Sequence, residues 1–142
     1  MSAQSRYSVR RPDPEGGMGM GKRVLLIEDE PNIIEAISFI LSRDGWTVHT
    51  HSDGTTALEK LRAYPPDVVI LDVMLPGRSG FDILQELRSA GEGLADLPVL
   101  MLTARGQSKD RELAERLGVT HFMTKPFSNA DILTSVRALS GA

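Results

Sequence analysis

Glu28, Asp29, Asp72, Thr103 and Lys125 each stand at or just beyond the end of a short apolar run. Three carboxylates, a hydroxyl and an ammonium form a chemically coherent set if the fold gathers them. Two carboxylates at 4 Å repel by about 4 kcal/mol at an effective dielectric of about 20. A hard divalent cation relieves that repulsion; Mg²⁺ in particular suits one or two carboxylates together with waters and phosphate oxygens. Taken singly, each residue has an ordinary explanation. Strand-end acids and lysines are usually solvated, Thr103 could cap a helix, and Asp72 could serve the turn that follows it.

The elements that would position these groups are legible from apolar patterning. Val68–Leu71 is four apolar residues long, too short for a helix, and predicts a strand buried on both faces with Asp72 at its end. Pro76-Gly77 predicts a turn with Gly at positive φ, and Ser79 a cap for a helix bearing Phe81, Ile83, Leu84 and Leu87. Val24–Ile27 is a similar run closed by Glu28, Asp29 and Glu30; Pro31 then opens a helix carrying Ile33, Ile34, Ile37, Ile40 and Leu41, stopped at Asp44-Gly45. Trp46–His51 reads as a less apolar edge strand. Asp53-Gly54 turns it into a helix with Ala57, Leu58 and Leu61, ended by Pro65-Pro66. Leu97–Leu102 and Val119–Met123 are the fourth and fifth strands. Their helices carry Leu113, Ala114 and Leu117, stopped by Gly118, and Ile132, Leu133, Val136 and Leu139, capped by Ser128. Five strand-helix units predict an α/β fold with a parallel sheet covered by helices on both faces and right-handed crossovers. All strands then point one way, so the chemical residues share the carboxyl edge where ligands bind in such sheets.

Composition narrows the class. The 142 residues suit one domain, with a tail at 1–21 and a folded body at 22–142. Residues 1–21 are rich in Gly, Pro, Ser and Arg without periodicity and read as flexible, a leader or a basic docking arm. Three arginines against Asp13 and Glu15 give them +1; the net charge of −3 leaves −4 for the body, a poor match for DNA or an anionic membrane. Cysteine is absent, which excludes disulfides and thiolate metal sites and fits the cytoplasm. No signal peptide or membrane span is evident.

The four motifs LLIEDE, VVILDVMLPG, MLTARG and MTKPFS, in that order at the ends of strands one, three, four and five, strongly resemble those of response-regulator receiver domains. The resemblance covers about Lys22 to Leu139, and its local wording is closest to receivers of winged-helix transcription factors. It implies a doubly wound, flavodoxin-like five-stranded sheet in the order 2-1-3-4-5 and a cis Lys125–Pro126 bond. It implies that Asp72 accepts a phosphoryl group from a sensor histidine kinase or a histidine phosphotransfer protein. Mg²⁺ would be held by Asp29, Asp72 and the Met74 backbone carbonyl, with Glu28 acting through water. Lys125, Thr103 and the Ala104 amide would bind phosphoryl oxygens, and Thr103 and Phe122 would form the switch, Phe122 turning inward from solvent, whereas read on its own Phe122 is a core residue. Met74 and Arg105 would flank the path of attacking water.

The chain is accordingly expected to be a single-domain response regulator of a two-component phosphorelay, not an enzyme acting on a separate substrate. Its expected output is a downstream protein target. Where resembling transcription factors have an acidic pair before the switch aromatic and a basic end to the last helix, this chain has Thr120-His121 and Ala138-Leu139-Ser140. That points to a monomer or a weak phosphorylation-dependent dimer. A phosphatase or nucleotide hydrolase is disfavoured by the missing GxxxxGK[ST] and by Met74 standing two residues after Asp72. A phosphorylation-independent scaffold is disfavoured by retention of Asp29, Asp72, Thr103 and Lys125. His49 and His51 share a strand face, but without a nearby third ligand they read as solvated.

Overall fold

The structure, a computed structural model, describes residues 22–91, 93–104 and 108–141. The predicted tail and Arg105 lie outside the described residues. Strands β1 (Arg23–Ile27), β2 (Thr47–His51), β3 (Val68–Asp72), β4 (Val99–Thr103) and β5 (His121–Thr124) alternate with helices α1 (Pro31–Arg43), α2 (Ala57–Ala63), α3 (Gly80–Ser89), α4 (Ser108–Arg116) and α5 (Asn129–Ser140). A 3₁₀ turn, Gly54–Thr56, precedes α2. All strand pairs are parallel and the order is β2-β1-β3-β4-β5, as expected. This is the doubly wound, flavodoxin-like arrangement.

The unbroken apolar runs are explained by two cores, one on each face of the sheet. Leu25, Ile27, Val69, Leu71, Val99, Met101 and Phe122 pack beneath α2, α3 and α4. The alternate residues Val24, Leu26, Val68, Ile70, Leu100 and Leu102 pack with Ile37 and Leu41 of α1 and Ile132 and Val136 of α5. Every residue of β3 and β4 is buried, whereas β2, polar in sequence, is the partly exposed edge. Helix ends follow the capping residues. Pro31 occupies the start of α1, the Ser79 hydroxyl accepts from Phe81 N at 3.0 Å, and Ser128 and Asp131 form a reciprocal capping box.

Three strands begin later than the apolar pattern predicts, two of them for one shared reason. Trp46 N donates to Leu41 O and Gly45 N to Ser42 O; likewise Val119 N donates to Ala114 O and Gly118 N to Glu115 O. In each case glycine at φ +95° closes a Schellman-type stop, and the residue after it belongs to that stop. β2 therefore starts at Thr47 rather than Trp46. In β4, Leu97 N is taken by Leu94 O and Pro98 has no N–H, so pairing starts at Val99 and runs on to Thr103.

Register carries the chemical residues together. Ile27 pairs with Leu71 and Asp72 with Leu102, while Thr103 pairs with Thr124. Glu28 and Asp72 therefore end adjacent strands at the same level, with Thr103 one residue beyond them and Lys125 two. Behind Asp72 the start of α3 comes unusually close: a Cβ on Gly80 would lie 2.3 Å from the Asp72 carbonyl oxygen and 2.9 Å from Val73 Cα. Neither neighbour is a flexible side chain that could yield. Gly80→Ala is expected to cost about 2 kcal/mol or more by overpacking, seen as a melting midpoint lowered by more than about 5 °C; an unchanged midpoint would refute the close approach.

Candidate functional site

Asp72 is 2 % exposed at the end of the central strand, and its carboxylate receives Lys125 Nζ at 3.3 Å. The same ammonium lies 3.5 Å from Glu28 Oε1 and 3.8 Å from Glu30. Glu28 and Asp72 are buried and Asp29 is exposed, and carboxylate oxygens of all three lie within 4.8 Å of one another. Burial, followed by the neighbouring Asp72 charge, pushes the Glu28 pKa up to about 7. Burial also raises Asp72, against the opposing pull of Lys125. Burial disfavours the charge on Lys125, but Asp72 and Glu28 outweigh it and hold its pKa above the ordinary lysine value.

The carboxylates are held by backbone as well as charge. Glu28 Oε2 accepts from Glu30 N at 3.1 Å, and the Met74 amide donates to Asp72. Glu28 Oε1 is fully buried and has no hydrogen-bond donor among the described residues, only Lys125 at 3.5 Å. An acid cluster with an under-satisfied buried oxygen and one exposed member fits a hard divalent cation arriving from solvent. The Met74 side chain is 59 % exposed, while its amide faces Asp72.

Of the residues predicted for the site, the structure gathers Glu28, Asp29, Asp72 and Lys125 by direct proximity. Thr103 is buried at the end of the neighbouring strand, Lys125 N donates to Thr103 O at 2.8 Å, and Ala104 follows, exposed. The Lys125–Pro126 bond is cis, as expected. Phe122 is a core residue, as its place in an apolar strand predicts, and departs only from the outward position that the switch resemblance implies: the ring is already inward, 4 % exposed beneath α4, with the Arg111 guanidinium 5.0 Å from its centroid. The reason is packing, since Phe122 pairs with Met101 on the same apolar sheet face as Thr103. His49 and His51 are engaged elsewhere. His49 stacks on Tyr64 at 3.6 Å, and His51 Nε2 lies 2.7 Å from Thr56 Oγ1. Sequence reasoning missed Glu30 as a neighbour of Lys125, although the run Glu28-Asp29-Glu30 carried the signal. It also missed Arg111, which helical patterning had no means of pairing with a strand residue.

The sequence pattern of the response regulator receiver domain matches residues 24–137. The chain belongs to this family. It is 43% identical over 131 residues to the probable transcriptional regulatory protein TcrX of Mycobacterium tuberculosis, a match covering 92% of this chain and 53% of that protein. It is 38% identical over 120 residues to the alkaline phosphatase synthesis transcriptional regulatory protein PhoP of Bacillus subtilis, covering 84% of this chain and 49% of that one. The chain thus spans about half the length of the curated relatives it matches. Among solved structures, the receiver domain of the Pseudomonas aeruginosa sensor histidine kinase PA1611, with a magnesium ion coordinated in its active-site cleft, superposes with TM-score 0.78 at 29% identity, covering 86% of this chain and 99% of that one. The chemotaxis response regulator CheY4 of Vibrio cholerae also gives 0.78, at 28% identity, covering 84% and 99%. No helix among the described residues is long and apolar enough to cross a membrane.

The acid cluster of this receiver has a pH signature. Because the folded Glu28 pKa lies above its ordinary 4.5, the folded state binds more protons than the unfolded state between about 4.5 and about 7. Stability without metal should therefore be greatest below about pH 4.5, as far as this group is concerned, and fall as pH rises to about 7. Raised Asp72 acts with the same sign. Glu28→Gln should flatten this decline and raise the pH 8 melting midpoint in chelator by about 3 °C or more, about 1 kcal/mol for this size. A midpoint in chelator that is equal in both proteins at pH 8 would contradict the strained cluster.

Proposed function

We propose that this receiver accepts a phosphoryl group on Asp72 from a phosphohistidine donor and changes protein-partner binding as a result. The observation that carries the reading is the buried Asp72 carboxylate, 3.3 Å from Lys125 and grouped with Glu28 and Asp29. Asp29, Asp72 and the Met74 carbonyl would hold Mg²⁺, with the buried Glu28 behind them. When bound, Mg²⁺ offsets carboxylate repulsion and withdraws charge from the transferring phosphoryl group. An Asp72 oxygen attacks phosphorus as the phosphorus–nitrogen bond to the donor imidazole breaks, the imidazole leaving with the electron pair. Lys125 supplies a fixed positive charge beside the carboxylate, and the Thr103 hydroxyl and Ala104 amide supply donors for phosphoryl oxygens.

Thr103 and Phe122 share a sheet face, which supports their coupling as a switch. With the ring already packed inward, phosphorylation is read as stabilising an existing arrangement rather than creating one. Moving a domain from 1% to 99% active needs about 5.5 kcal/mol. Two charge-assisted hydrogen bonds, from Lys125 and Thr103, at about 1.5 to 3 kcal/mol each supply roughly that. The −4 charge of residues 22–142 makes the receiver body a poor DNA ligand, so its direct partners are read as the donor and a downstream protein. Arg137, near the end of α5, is paired with Asp44 at the end of α1, which supports a monomer or weak dimer over a charge-stitched one.

Intact mass after incubation with Mg²⁺ and a small phosphodonor tests the reading: one phosphoryl group should add to the wild-type chain, and none to Asp72→Asn or in chelator. Equal labelling of Asp72→Asn would overturn it. Thr103→Ala should still take phosphate while its active-to-inactive ratio falls about tenfold or more, read from amide shifts around Phe122. Full wild-type shifts in phosphorylated Thr103→Ala would remove Thr103 from the switch.

A further inference from the structure

The loop from Val73 to Ser79 joins Asp72 to α3 and carries Met74, yet the exposed Met74 side chain has little packing to hold it. Its position depends on the backbone on either side. On one side Val73 N donates to Leu102 O and Gly80 N to Val73 O, both at 2.9 Å. On the other side the anchor comes from a distant segment, the turn after β2: Gly54 N donates to Pro76 O at 3.0 Å.

The fit there is close in both directions. A Cβ on the buried Gly54 would lie 2.5 Å from Arg78 O and 3.1 Å from Arg78 N, both backbone atoms. Gly54 is not in the left-handed region, so glycine is required for space alone. Reciprocally, a Cβ on Gly77 would lie 2.8 Å from Thr55 Oγ1 and 3.1 Å from Asp53 Oδ1. The turn is braced internally, because Asp53 Oδ1 accepts from Thr55 N at 2.9 Å and from Thr55 Oγ1 at 2.5 Å. Arg78, in turn, is tied to Glu86 of α3. Neither surface can withdraw without moving an element.

We propose that the Asp53–Gly54–Thr55 turn is a strut that sets the loop after β3, and that Gly54 is a positioning residue for the backbone of Met74 beside Asp72. The part played by the Met74 carbonyl rests on the receiver reading above; the mechanical role of the strut does not. An added methyl at Gly54 displaces Pro76–Arg78, and the displacement passes to Met74 because Val73 is fixed.

The test compares Gly54→Ala and Asp53→Ala with the wild-type chain and with Gly91→Ala, where a Cβ would meet nothing within 4 Å but φ is +72°, so that this variant carries backbone strain away from the strut. In chelator, amide hydrogen exchange at Met74 should quicken about tenfold in the two strut variants, equivalent to about 1.4 kcal/mol, while exchange at Val69–Leu71 stays unchanged. Mg²⁺ affinity by calorimetry should weaken by a similar factor, and Gly91→Ala should match wild type in both. Wild-type exchange at Met74 in both strut variants would overturn the strut. If Gly54→Ala does not fold, Asp53→Ala decides alone. A wild-type chain that binds no Mg²⁺ would overturn the receiver reading, and the metal-free exchange rates would still decide for or against the strut.

Discussion

The ammonium of Lys125 meets Asp72, Glu28 and Glu30 at 3.3, 3.5 and 3.8 Å, with Asp29 completing the acid group. One positive charge among four carboxylates leaves the site net negative, with Asp72, Glu28 and Lys125 largely shut away from water and Asp29 and Glu30 facing it. Burying an ion is costly unless its partners compensate, and here compensation is incomplete, as the raised pKa values of Glu28 and Asp72 record. The fold therefore holds a site that is under-neutralised in isolation. In the proposed function a divalent cation would complete it, and a phosphoryl group arriving with that cation would find Lys125 already in place.

Such a site needs a rigid frame, since carboxylates on a yielding scaffold would simply part. The frame is the central strand, buried on both faces, with β1 and β4 in register beside it. Each apolar residue of β1, β3 and β4 belongs to one of two cores, so the acids cannot separate without breaking sheet pairing. The loops above the frame are fixed by contacts too close for a methyl group, at Gly80 against Asp72 and at Gly54 against Arg78. Stability is thus given up at the carboxylates and recovered in the layers beneath them.

Much of this was legible in the sequence because it rests on local rules. Val68–Leu71 could only be a doubly buried strand, Pro31, Ser79 and Ser128 marked helix starts, and Gly118 and Gly77 marked positive φ. The strand order came from the resemblance, and sheet pairing bears it out. What patterning could not reach was non-local. Apolar patterning starts β2 one residue and β5 two residues early, because Trp46 and Val119 are apolar although their amides close the preceding helices. The Arg111 contact with Phe122 depends on how α4 lies over β5. The Gly54–Arg78 contact joins residues on separate loops that only the folded sheet edge brings together.

The most direct measurement of the central claim is an amide chemical-shift titration of the wild-type chain with Mg²⁺ near neutral pH. The carboxylate cluster as the under-neutralised centre predicts a single saturable event with shifts concentrated at Glu28–Glu30, Asp72–Leu75, Thr103–Ala104 and Lys125. Absence of saturable shifts there, or larger shifts centred on another acidic surface, would contradict it.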